Sequence, residues 1–118
     1  MTVILNDTDT LEDAVTQILA NKERFIVIVS HDNSLHGVMT EGDVLRALWN
    51  GLLLKAPLLE IVNTNPYFRF KKLSNKEFLD VYLKLGILFI PIVDSERKLL
   101  EVQTLSDVVR ESLKVEKS

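Results

Sequence analysis

The 118-residue sequence has no cysteine, four glycines, three prolines and one tryptophan, and aromatic residues make up only 7% of it. Without cysteine there is no disulfide scaffold, no thiol nucleophile and no thiolate metal site. The four glycines, Gly37, Gly42, Gly51 and Gly86, cannot be arranged as G-x-G-x-x-G or G-x-x-x-x-G-K-S/T, which excludes the glycine-built phosphate loops. Apolar stretches such as Phe25–Val29 and Gly86–Val93 fall far below the roughly 20 residues that a membrane span needs. Met1–Asp7 lacks a basic start and is too short for the apolar segment of a signal peptide. A soluble, cytoplasmic protein with no membrane partner is therefore expected. Seventeen acidic against fourteen basic side chains give a net charge of −3, so there is no general attraction to phosphate backbones and nucleic acid is not an expected partner.

What the sequence does have is 47% apolar residues and a repeat. Thr10–Arg46 aligns with Ser74–Arg110 without a gap at an offset of 64 residues. Identical pairs include Leu19/Leu83, Phe25/Phe89, Ile26/Ile90, Ile28/Ile92, Val38/Val102, Thr40/Thr104, Asp43/Asp107 and Arg46/Arg110. Most are apolar residues at matching points of a strand or helix, as two copies of one supersecondary unit require.

Each copy reads as helix, strand, strand, helix. In the first, Thr10 caps a helix with Asp13 three residues later, and Leu11, Ala14, Val15, Ile18 and Leu19 share one face. Phe25–Val29 has no polar alternation, the mark of a strand covered on both faces. His31–Ser34 turns the chain into a second strand, Leu35–Met39, and Thr40 caps a helix that ends near Asn50, with Gly51 as its terminator. The second copy runs through the Ser74 cap, a helix to Leu85 closed by Gly86, strands Leu88–Val93 and Lys98–Gln103, and a helix from Thr104. Short extended pieces, Val3–Leu5 and Tyr67–Phe70, precede the two copies at the same offset. One small sheet with two helices leaves an apolar face uncovered, so sheet-to-sheet packing of the copies, with a cleft where they meet, is expected.

These residues carry a family resemblance. The segment Leu35-His36-Gly37-Val38-Met39-Thr40-Glu41-Gly42-Asp43 resembles the G-h-h-T-x-x-D element (h, apolar) that closes a CBS domain. Ile90-Pro91-Ile92-Val93-Asp94 resembles the apolar-Pro-Val-Val-Asp strand of that family, and Thr104-Leu105-Ser106-Asp107 repeats T-x-x-D. Any one motif is weak, but the ordered recurrence spans nearly the whole chain. The resemblance implies an α+β fold of two pseudo-twofold-related CBS repeats, β-α-β-β-α each, packed sheet to sheet as a Bateman module. Repeat one would cover residues 1–54, a connector 55–66, repeat two 67–113, and 114–118 a tail or linker start.

A narrower likeness lies in Thr40–Gly51 followed by Pro57–Pro66, a run similar to CBS pairs found ahead of sugar-phosphate nucleotidylyltransferase domains. Those enzymes carry a G-G-x-G-T-R-L segment that does not occur here. The chain would then be a regulatory fragment rather than an enzyme.

A hydroxyl and a carboxylate three residues apart at a helix start suit a ribonucleotide. The carboxylate accepts from two ribose hydroxyls, while the hydroxyl and the free N–H groups of the helix receive a phosphate. The resemblance implies these roles for Thr40 and Asp43 and for Thr104 and Asp107, with AMP, ADP, ATP or S-adenosylmethionine as the class of ligand. The same spacing is a capping box that satisfies only the helix itself, as Thr10/Asp13 and Ser74/Glu77 illustrate. Gly37 is expected to clear room for a ligand, whereas its counterpart Glu101 crowds the second site. Arg69, Lys71 and Lys72 form the basic cluster, facing phosphates in the cleft or lying at a solvated strand end. Arg46 and Arg110 are expected to pair with the aspartates one turn before them. His31, Asp32 and His36 read as a surface turn and its strand rather than as a metal site.

Val44, Leu45, Ala47, Leu48, Trp49 and Leu52–Leu54 are more apolar than one buried helix face requires, which points to a homodimer or to contact with a catalytic domain. Two functions follow. One is a regulatory module that senses an adenine nucleotide or adenosyl ligand and controls a nucleotidyltransferase. The other is a structural homodimerisation module with no physiological ligand.

Overall fold

The structure, a computed structural model, describes residues 3–117. It divides into two compact units that meet in sequence at Pro66/Tyr67.

The first unit runs β1 (Val3–Asn6), α1 (Leu11–Ala20), β2 (Phe25–Val29), β3 (Leu35–Thr40) and α2 (Glu41–Trp49). Its sheet has the order β1-β2-β3, with β1 parallel and β3 antiparallel to the central β2. All five residues of β2 are buried, as its unbroken apolar run requires. Capping boxes start both helices, from Thr10 with Asp13 and from Thr40 with Asp43. Leu11, Ala14 and Ile18 of α1 join Ile26, Ile28, Met39, Val44 and Ala47 in one core. Leu19, expected on that face, is instead 79% exposed.

The stretch read as a connector is built into this unit. Leu58 heads a 3-10 turn, Leu58–Glu60, and lies fully buried in the core. Leu11 N donates to Ala56 O and Glu12 N to Leu54 O, each at 2.9 Å, so two N–H groups at the start of α1 are satisfied by this strap. Asn63 then pairs with Val38 on the outer edge of β3 through two backbone bonds of 3.1 and 3.2 Å.

The second unit has α3 (Asn75–Leu85), β4 (Phe89–Val93), β5 (Leu99–Thr104) and α4 (Leu105–Lys117). Phe78, Ile90, Ile92 and Val108 form its core. Gly86 ends α3 at φ 70°, in the left-handed region that glycine enters without strain. The backbone of α4 is helical through Lys117, so residues 114–117, expected as the start of a tail, continue the helix; Ser118 lies outside the described residues.

Small backbone irregularities recur at the repeat offset. The bulge at Ile28/Val29 returns at Ile92/Val93, and the left-handed Asn33 at Arg97. The bond from Glu41 N to Arg24 O returns from Leu105 N to Leu88 O.

The first extended piece of the second copy is where the repeat thins. Tyr67–Phe70 contributes a single parallel bridge, Arg69 to Ile92, in the register that pairs Leu5 with Ile28. Arg69 N donates to Pro91 O and Val93 N to Arg69 O. The next rung of a parallel ladder would need an N–H from residue 91 to reach Tyr67. Pro91 has none, whereas Val27 at the matching position of β2 does.

Candidate functional site

Both Thr-x-x-Asp segments sit where a strand hands over to a helix. Thr40 closes β3 and caps α2; Thr104 closes β5 and precedes α4. An extended residue before a helix leaves the first N–H groups of that helix without intrahelical partners, the geometry that receives an anion.

At the first segment the carboxylate is fully employed. Asp43 Oδ2 accepts from Thr40 N at 2.8 Å and from Thr40 Oγ1 at 3.2 Å, and Asp43 Oδ1 accepts from Arg46 Nη2 at 2.5 Å. The second segment is looser. Asp107 N donates to Thr104 Oγ1 at 3.1 Å, with no reciprocal bond to the Asp107 carboxylate among the described residues, and Asp107 Oδ1 accepts from Arg110 Nη1 at 3.0 Å. Among the described residues Asp107 Oδ2 has no partner. Thr104 is buried and Asp107 exposed, while Thr40 is exposed and Asp43 half-buried. Both arginines pair with the aspartate one turn before them, as the spacing suggested.

Gly37 does not clear room for a ligand. A Cβ there would lie 2.2 Å from Asn63 O and 2.6 Å from Val62 Cγ2, so the space is filled by the chain's own strap. The counterpart Glu101 is exposed on β5, opposite Ile92.

Lys71 and Lys72 are exposed on the segment leading into α3. Arg69 is drawn back onto its own strand: its guanidinium lies over the Tyr67 ring, 4.0 Å from the centroid, and bonds to the Tyr67 hydroxyl. Nearby, Arg97 lies 4.7 Å from the centroid of Phe68. His31 and Asp32 occupy the exposed turn between β2 and β3. His36 Nδ1 stands 3.6 Å from Asp7 Oδ2, with Nε2 buried and unpartnered. Among the described residues no group of three or more His, Cys, Asp or Glu side chains could hold a metal ion. No helix among them is long and apolar enough to cross a membrane.

Sequence reasoning missed Gln103. It is buried at the position of Met39 in the first copy, and its amide clamps Leu73, accepting from Leu73 N at 2.9 Å and donating to Leu73 O at 2.8 Å. The one available signal was a polar residue at a position that is apolar in the other copy.

Residues 2–50 match the family model described as CBS domain. No curated protein sequence matches the chain. Among solved structures, the chain is similar to a putative acetoin utilization protein (AcuB) from Vibrio cholerae, at 26% identity and a TM-score of 0.85, over 98% of this chain and 86% of that one. It is also similar to CBSX2 in complex with AMP, at 18% identity and a TM-score of 0.84, over 98% and 90% of the two chains. A third similarity, to the cytosolic domain of the Mg2+ channel MgtE in complex with ATP, has 20% identity and a TM-score of 0.71, over 93% of this chain and 44% of that one. Other matching structures are described as CBS domains. The chain has the mixed α+β fold of CBS-pair structures, and its match to the CBS-domain model lies in residues 2–50.

Proposed function

We propose that this chain is a regulatory module that binds an adenine nucleotide or a related adenosyl ligand and controls an attached or partner enzyme. The observation that carries the reading is the second Thr-x-x-Asp start, where an exposed carboxylate keeps one oxygen uncommitted beside an unboxed helix N-terminus. That oxygen is available to ribose hydroxyls, and the N–H groups of α4 to a phosphate. Two structures of similar fold hold AMP and ATP, which supports the class of ligand. Thr104 and Asp107 are thus the primary pair and Thr40 and Asp43 the secondary one, with Lys71 and Lys72 supplying positive charge. Gly37 drops out, because its space is filled.

Sugar-phosphate nucleotidylyltransferase is the partner enzyme we assign, on the likeness of Thr40–Gly51 and Pro57–Pro66 alone, and the setting is cytoplasmic. The module works as a homodimer. Apolar residues are exposed at the same repeat positions in both units: Leu19 and Leu83, Leu45 and Val109, Trp49 and Leu113. A second copy of the chain covers such a face economically, because one complementary solution serves both repeats.

Calorimetric titration with AMP, ADP, ATP and S-adenosylmethionine tests the ligand. Asp107→Ala is expected to weaken binding at least about tenfold, the loss of roughly one charged hydrogen bond. Asp43→Ala is expected to cost about 1 kcal/mol of stability as a lost cap and to leave the titration in place. No heat with any of the four ligands would overturn the sensing function. It would favour the second reading, a structural homodimerisation module, which the self-contained capping box at Asp43 supports.

A further inference from the structure

The last turn of α2 closes in a Schellman motif. Gly51 N donates to Leu48 O at 3.0 Å and Leu52 N to Ala47 O at 3.1 Å, with Gly51 in the left-handed region at φ 80°. Asn50, the cap residue, and Gly51 are both exposed, and a Cβ built on Gly51 would meet nothing within 4 Å. Beyond the motif the chain passes directly into the strap. Leu52 packs against the first core, Leu54 O accepts from Glu12 N, and Ala56 O accepts from Leu11 N. The end of α2 and the start of α1 are thus fastened together through residues 52–56.

The same place carries a reactive pair. Of the seven asparagines, Asn50 alone precedes glycine. The backbone nitrogen that follows an asparagine can attack the side-chain amide, and a Cβ on the following residue hinders that attack, so glycine leaves it open. Asn65 precedes a proline, which has no N–H to give up. In the closed motif the attack is held off, because the Gly51 N–H is bonded to Leu48 O. The Asn50 ψ of 1° also sets Gly51 N beside Asn50 N rather than beside Asn50 Cβ. An exposed helix end opens at small cost, and each opening removes both restraints.

We infer that Asn50–Gly51 is a site of spontaneous covalent modification, and that its isoaspartyl product unfastens the strap from α1. The step needs only water. Gly51 N, its proton passed to solvent base, bonds to Asn50 Cγ, and the amide nitrogen leaves as ammonia. Water then opens the five-membered imide at either carbonyl. Opening at the side-chain carbonyl leaves aspartate; opening at the main-chain carbonyl leaves isoaspartate, whose chain runs through the side-chain carbons and gains a backbone atom. Both products place a carboxylate at the C-terminal end of α2, against its dipole. The isoaspartyl product also lengthens the two hydrogen-bonded loops that run from Leu48 to Gly51 and from Ala47 to Leu52, and both bonds are lost. The second unit is built without this site: Lys114 and Val115 stand at the matching positions, and the backbone of α4 runs on through Lys117.

The test ages the full chain in mildly alkaline, heavy-oxygen water and reads the label at each asparagine by peptide mass spectrometry. Conversion at Asn50 is expected to exceed that at Asn33, exposed but followed by Ser34, at least about tenfold. Gly51→Ala lowers it by about as much, and Asn50→Gln, whose longer side chain closes a ring poorly, abolishes it without touching the glycine. Amide exchange by NMR then reads the strap in the separated isoaspartyl form. Leu11 and Glu12 exchange at least about tenfold faster there than in the parent, whereas Asn50→Asp, which carries the charge without the extra backbone atom, stays near the parent. Conversion at Asn50 no faster than at Asn33, or conversion undiminished in Gly51→Ala, overturns the inference. Unchanged exchange at Leu11 and Glu12 in the isoaspartyl form overturns it as well, as does equal loosening in Asn50→Asp.

Discussion

The strap around the first unit has its counterweight in the core of the second. Ala14, Met39 and Ala47 leave room for Leu58 to enter from residues 54–63, whereas Phe78, Gln103 and Glu111 stand at the matching positions sixty-four residues on. Phe78 fills its core from within, and Gln103 ties the Leu73 backbone that precedes α3. Yet the bulge, the left-handed turn residue and the strand-to-helix bond recur unchanged. Backbone hydrogen bonding can therefore hold one set of turns while the volume behind it is redistributed, provided each core stays close-packed.

The comparison breaks most sharply at Gly37 and Glu101. A methyl group on Gly37 would meet the Asn63 carbonyl at 2.2 Å, a backbone atom that the bridge to Val38 holds in place. Gly37→Ala is expected to cost about 3 kcal/mol, as overpacking against backbone does, and to release the strap. Glu101→Ala, on an exposed edge, is expected to stay within about 0.5 kcal/mol of the parent. Urea denaturation of both variants, with amide exchange at Val38 and Asn63, measures the contrast. Equal costs would show that the strap does not close the first unit.

A smaller effect is expected at Gln103. Gln103→Met copies the first unit and nearly keeps the volume, but leaves Leu73 N and O without the partners they now have. The expected loss is about 2 kcal/mol, the cost of stranding two partly buried backbone groups. A neutral result in the same denaturation experiment would mean that water replaces the amide and that the two cores are interchangeable at this position.

Much of this architecture was legible in the residues themselves. The offset, the Ser/Thr starts of the helices and the unbroken β2 run are local patterns that burial and capping impose directly. The strap was not, because residues 54–63 have no periodicity, and what matters is where Ala56 and Asn63 find backbone partners across the fold. Gly37 misled for the same reason: an absent side chain marks a close approach without saying what approaches. The truncated first strand of the second copy follows from Pro91 only once its parallel register with Arg69 is known. Of the candidate site, the pairing of Arg46 and Arg110 with the aspartates was readable from spacing. The slack at Asp107 was not, since Thr104 and Asp107 have the same letters as Thr40 and Asp43.

The finest distinction lies at the start of α3. In α1 the strap bonds Leu11 N and Glu12 N in addition to the Thr10/Asp13 box, while in α3 the box of Ser74 and Glu77 stands without a strap. Ser74 N donates to Glu77 Oε1 at 3.0 Å and Glu77 N donates to Ser74 Oγ at 3.1 Å. The backbone bond from Ser74, and after it the bond to the Ser74 side chain, hold the Glu77 carboxyl below its ordinary range, against a small opposing effect of desolvation. A carboxylate whose folded pKa is depressed binds fewer protons folded than unfolded. Its stabilisation is therefore complete above the ordinary glutamate range and drains away as pH falls through the lowered folded value. Glu77→Gln keeps an acceptor but cannot ionise, so the melting temperatures of parent and variant should differ at neutral pH and converge in acid. A gap that stays constant with pH would mean that the box stabilises α3 by hydrogen bonding alone, without the charge.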